Sequence, residues 1–137
     1  MITAVDSSVL IDVFGAHEKW LERSAGLLRR CLAEGTVVAC EVVWAETAVI
    51  FRHEADFLDA MGMLGVAFSP IEQAAALRAG QTLKTYRKRA RGRGERVVAD
   101  FLIGAHALEQ AGRLLTRDRD FYRDDFAGLK ILDPSAQ

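Results

Sequence analysis

Four acidic residues stand where strands end or helices open, which are the places where a chain does chemistry with carboxylates. Asp6 closes the short run ITAV (2–5), and Glu46 lies in the early turns of the helical pattern after TVVA (36–39). Asp100 sits among Val97, Val98, Phe101, Leu102, Ile103, Ala105 and Leu108, and Asp118 follows RLLT (113–116). In a doubly wound sheet such positions converge on one crevice at the carboxyl ends of the strands, whatever their separation in sequence. Carboxylates gathered there repel one another unless protons or hard divalent cations neutralise them, and Mg²⁺ or Mn²⁺ favour oxygen donors. Such an ion lowers the pKa of bound water and stabilises the leaving oxygen of a phosphodiester. The chemistry expected of the set is metal-dependent phosphodiester hydrolysis.

Each acid also has a plainer reading. A lone ionised carboxylate among apolar neighbours costs about several kcal/mol unless it is compensated. For Asp100, Arg96 or the free N–H groups of the first helical turn would compensate it. Asp6 would cap the helix suggested by SVLIDVF, Glu46 would be an exposed first-turn acid, and Asp118 in TRDRD would form a turn. The coincidence of all four at equivalent ends favours a site. Asp120 is kept as a further metal donor. Asp12, inside a helical pattern, is expected to be solvated, and Asp124 and Asp125 to face water beside a loop. Ser7, Ser8 and Thr116 are placed to orient carboxylates, although such hydroxyls also bond nearby backbone at strand-to-helix turns. His17, His53 and His106 form no paired motif, and neither a G-x-S-x-G elbow nor a phosphate-binding glycine loop is present, so all three are read as structural or exposed.

The elements that must position these residues alternate. Strands are expected at 2–5, 36–39, 66–68, 113–116 and 129–132. Helices are expected at 18–33, from Val43 through Phe51, at about 55–64, from Pro70 into a basic tail, and around Asp100 up to a cap at Gly112. Gly35 is expected to stop the first of these helices. RGRGE (91–95) breaks the pattern, and 117–128 is the longest irregular piece, where a functional loop is expected. Buried strands alternating with helices argue for an α/β domain, a mainly parallel sheet of about five short strands with helices on both faces. Phe57, Leu58, Met61 and Leu64 suit either the core or a dimer face.

With 137 residues and 50% hydrophobic composition, the chain reads as one soluble domain over 1–137. Its net charge of −1 conceals a basic stretch, KTYRKRARGRGER, in which Arg89, Arg91 and Arg93 are candidate contacts to RNA phosphates and Tyr86 a candidate stacking platform. Cys31 and Cys40 are too few for a disulfide framework and lack metal-ligand spacing. With no basic leader and no apolar run of about 18 residues, a cytoplasmic protein is expected.

The motifs VDSSVLIDVF, VVWAET, ADFLIGAHAL and LLTRDRDFYRDDFAGLKILDP, in that order, resemble the PIN-domain ribonucleases, and within them the VapC-type toxins of toxin–antitoxin pairs. That resemblance implies that Asp6, Glu46, Asp100 and Asp118 hold Mg²⁺ or Mn²⁺, supported by Ser8 and Thr116. The last position is the loosest in the family, and Asp120, two residues on, is a second donor for it. The resemblance further implies an endoribonuclease, a homodimer, and a small antitoxin whose tail enters the acidic crevice with an arginine. Two other classes compete. A phosphoacceptor signalling domain also uses acids at strand ends, but wants an adjacent acidic pair near the first strand and a lysine late in the sheet, whereas Lys130 falls within a strand. A noncatalytic RNA- or protein-binding module would bind RNA without using the ion.

Overall fold

The computed structural model describes residues 1–90 and 96–136. Five short strands, β1 (Ile2–Val5), β2 (Thr36–Ala39), β3 (Val66–Phe68), β4 (Arg113–Leu115) and β5 (Ile131–Leu132), form one parallel sheet in the order β3-β2-β1-β4-β5. The order runs outward from β1 in one direction and returns to add β4 on its other side. With right-handed crossovers, that reversal places helices on both faces and leaves a crevice between the carboxyl ends of β1 and β4. The two strands are joined there: the Asp6 amide donates to the Leu115 carbonyl at 2.9 Å.

Seven helices are present among the described residues: α1 (Ser7–Phe14), α2 (Leu21–Glu34), α3 (Glu41–Ala48), α4 (Glu54–Leu64), α5 (Gln73–Ala90), α6 (Val98–Gln110) and α7 (Arg119–Asp125). The central strands are apolar on both faces, with Ala4, Val5, Val37, Ala39, Leu114 and Leu115 all buried, as a sheet covered on two sides requires. Gly35, in extended backbone after α2, lets β2 lie against the start of β1. A Cβ there would sit 2.0 Å from the Met1 carbonyl oxygen. No helix is long and apolar enough to cross a membrane among the described residues.

Several boundaries differ from the pattern-based expectations. Pro70 does not open the long helix, which begins at Gln73; the Pro70 carbonyl instead accepts from the Gln110 side chain at 2.9 Å. Gly112 is not the cap of α6, because Ala111 already leaves the helix in extended backbone and the Gly112 amide bonds Ile2 of β1 at 2.8 Å. The helix after β2 stops at Ala48, with Ile50 and Phe51 in the turn beyond it. The region 117–128, expected to be irregular, contains α7, which is anchored by buried Phe121 and Tyr122. The last strand is only Ile131–Leu132, and Lys130 precedes it. Val97 and Val98 are exposed, so α6 is buried only from Phe101 onward. Of the apolar set in α4, Phe57 and Met61 enter the core and Leu58 stays half exposed.

Candidate active site

Asp6 is placed by the end of β1 and stands at the N-cap position of α1, yet its side chain makes no capping bond. Its carboxylate turns to hydroxyls instead. Thr116 Oγ1 donates to Asp6 Oδ2 at 2.7 Å, and Ser8 Oγ donates to the same oxygen at 3.1 Å. Thr116 is itself fixed, since its Oγ1 accepts the Asp118 amide at 3.0 Å. One hydroxyl thus ties the first and last acids together across the β1–β4 crevice. Asp6 is only 6% exposed, and among the described residues no Lys or Arg pairs with it. Burial pushes its carboxyl pKa above the ordinary value, the hydroxyl bonds oppose this, and the nearby Glu46 charge adds to it.

Glu46 lies exposed in the second half of α3, because that helix already begins at Glu41, rather than in the early turns expected of it, and Ser7 Oγ donates to its Oε1 at 2.8 Å. Asp100 opens α6 and is about half-buried. Burial raises its pKa, Arg96 lowers it, and the Asp118 charge raises it again. Asp118 precedes α7 at the N-cap position without a side-chain capping bond. Its two oxygens accept a forked pair from Arg96, at 2.6 Å from Nη1 and 3.2 Å from Nη2, while Arg96 Nη1 lies 3.8 Å from Asp100 Oδ2. Arg96 therefore compensates Asp100, as the plainer reading allows, but spends its hydrogen bonds on Asp118.

The phenol of buried Tyr122 feels the charges of these acids. Its pKa is raised well above the usual value, first by burial and then by the charges of Asp6, Asp100, Asp118 and Glu46. Among the described residues, no group of three His, Cys, Asp or Glu side chains is close enough, as they stand, to hold a metal ion. The donor chemistry nonetheless fits a hard divalent cation: every donor is a carboxylate or hydroxyl oxygen, and Asp6, the most buried of the four acids, is bonded by neutral hydroxyls.

Other candidates are placed differently. Asp120 is 77% exposed and pairs with Arg123 at 3.4 Å. Asp12 is fully buried rather than solvated, because Arg117 reaches it with two bonds at 2.7 and 2.9 Å and Ser24 Oγ donates at 2.7 Å. Asp125 does not simply face water; its carboxylate, 6% exposed, accepts from Arg89 at 2.7 Å. Arg89 is thereby engaged within the chain, and Arg91 and Arg93 lie outside the described residues. His106 is buried with Nε2 3.0 Å from Ser69 Oγ, far along α6 from the acids. Sequence reasoning missed Tyr122, whose only signal was an aromatic beside Phe121 three residues after an acid. It also gave Asp12 no partner, although Asp12 stands three residues after buried Val9 and so shares its face of α1.

The PIN domain family matches residues 3–127. The chain belongs to the PIN-domain family. No curated protein sequence matches it. Solved structures similar to this PIN domain include VapBC-1 from nontypeable Haemophilus influenzae, with TM-score 0.73 at 18% identity over 99% of this chain and 100% of that one. VapBC2 from Rickettsia felis, bound to a DNA fragment from its promoter, aligns with TM-score 0.72 at 16% identity over 97% and 98% of the two chains. VapC20 from Mycobacterium tuberculosis, a toxin that cleaves the sarcin–ricin loop, aligns with TM-score 0.63 at 18% identity over 93% and 98%. At these identities the likeness is one of fold, and it extends along the whole PIN domain.

Proposed function

We propose that this PIN domain is a divalent-metal-dependent endoribonuclease, the toxin of a toxin–antitoxin pair. The observation that carries the reading is the buried Asp6 carboxylate, held by neutral hydroxyls at the β1–β4 crevice, with Thr116 linking it to Asp118 and Arg96 linking Asp118 to Asp100. Asp6, Asp100 and Asp118 are the residues that would hold Mg²⁺ or Mn²⁺. Such an ion supplies an acidified water and charge stabilisation at a phosphodiester. Thr116 and Ser8 fix the direction of Asp6, and Ser7 fixes Glu46, whose exposed oxygen is free to accept a proton from an incoming water. Asp120, at the surface and paired with Arg123, is outside this set.

Toxin identity rests on the solved toxin–antitoxin complexes that share the fold, and RNA as substrate on the sarcin–ricin-cleaving relative. We assign the partner antitoxin to the mainly apolar cleft lined by Trp44, Ala45, Ala48, Phe57 and Leu58 with Glu54 among them, which leaves Leu58 half exposed in the isolated chain. A homodimer completes the proposal.

The test is cleavage of structured RNA by the purified protein. Activity should require Mg²⁺ or Mn²⁺, stop with EDTA, and fall by about 100-fold or more in Asp100→Asn and Asp118→Asn, the size of loss seen when a charge-stabilising group is removed. Asp120→Asn should stay within about threefold of the parent, because surface substitutions away from the chemistry change little. Undiminished cleavage by folded Asp100→Asn would reject the nuclease assignment.

A further inference from the structure

The acidic edge already holds a cation of its own. Arg96 stands two residues before α6, and its guanidinium carbon lies over the Phe121 ring, 4.3 Å from the ring centre. From there it binds Asp118 with a two-pronged hydrogen bond and comes within 3.8 Å of Asp100. Forked Arg–carboxylate pairs are the strong form of such contacts. Two of the acids assigned to the ion therefore face a positive charge before any ion arrives, and no three acids among the described residues come together around a common point. The guanidinium has room to turn toward solvent, because its side chain is 34% exposed.

We propose that Arg96 is the site's resident counter-cation: it keeps Asp100 and Asp118 together in the ion-free protein and must release Asp118 before a divalent ion can take both, so that it sets the ion affinity. This rests on the reading of the acids as a metal site. Two carboxylates stripped of an adjacent positive charge attract another cation more strongly, so removing Arg96 tightens ion binding even though it takes away a stabilising contact. A residue that merely supported the fold would have the opposite effect.

The experiment is calorimetric titration of Mn²⁺ into the chelator-stripped full chain, comparing the parent with Arg96→Gln, Arg96→Lys and Asp100→Asn, with folding checked by circular dichroism. Arg96→Gln should bind Mn²⁺ about tenfold more tightly, as expected for loss of one competing charge at short range. Arg96→Lys, which keeps the charge but not the fork, should fall between the two, and it carries the comparison if Arg96→Gln does not fold. Without metal, Arg96→Gln should melt lower than the parent, and Mn²⁺ should raise its melting temperature by more than it raises the parent's. Equal or weaker Mn²⁺ binding by folded Arg96 variants, with Asp100→Asn still weakening it, overturns the role of Arg96 and leaves the metal site standing. No Mn²⁺ binding by the parent or the variants overturns both.

Discussion

Asp12 shows how much a single residue's partner decides. On helical spacing it looks like a solvated acid, yet it is buried with Arg117 and Ser24 bonded to it. Removing one partner of a buried pair strands the other, a loss of about 3–5 kcal/mol when both are fully enclosed. Arg117 keeps 27% of its side chain exposed and can turn to water, so Asp12→Ala should cost less, about 2 kcal/mol in urea unfolding, with no change in the denaturant slope. The same logic separates what was legible at this scale from what was not. Glu46, expected in the early turns of its helix, lies in the second half of α3, but the places of Asp6, Asp100 and Asp118 could be read because strand ends and helix starts are written in local sequence. Their partners could not, since Thr116 and Arg117 come from more than a hundred residues beyond Asp6 and Asp12, and only the pairing of β1 with β4 brings them there. Arg96 is the intermediate case: its four-residue spacing from Asp100 is visible, but its preference for Asp118 depends on where α7 lies.

At the scale of elements, α7 is held against α6 by aromatic packing, and this is what puts Asp118 beside Asp100. Phe101 meets Phe121 edge-on at 5.2 Å between ring centres, Phe121 meets Tyr122 at 4.8 Å, and Phe126 lies against α6 at Gly104. A Cβ on Gly104 would approach Phe126 ring atoms to 2.4–2.7 Å. Gly104→Ala should therefore destabilise the fold by about 1–3 kcal/mol through overpacking, despite alanine's better helix propensity. A melting curve equal to the parent's would show that the ring can move aside without loss. The strands were legible because β-branched and leucine-rich runs bounded by turns have few other uses. Helix α7 was not, because RDFYRDD is short and polar on every side but one, so its helicity comes from burying Phe121 and Tyr122 rather than from propensity. The exposure of Val97 and Val98 escaped notice for the converse reason: apolar composition says nothing of which turn of a helix reaches the core.

For the whole molecule, the pH dependence of stability follows from groups whose proton affinity changes on folding. His106 is buried against Ser69 and burial lowers its pKa, so the native state holds it neutral. As pH falls below about 6.5, the unfolded chain takes up a proton that the native chain refuses. Its contribution is thus complete above that value and is lost as pH drops through the lower native pKa. His106→Gln should flatten the slope of unfolding free energy just below about pH 6.5, measured by urea titration at a series of pH values. An unchanged slope would place the histidine's proton elsewhere. The sheet order has a consequence in time as well as in space. Since Thr116 supplies Asp6's shortest bond from 110 residues downstream, and loop closure of that span is slow, a growing chain exposes its first acid long before the cleft exists. The crevice between β1 and β4 is in this way incomplete on a growing chain until β4 has been delivered and has docked.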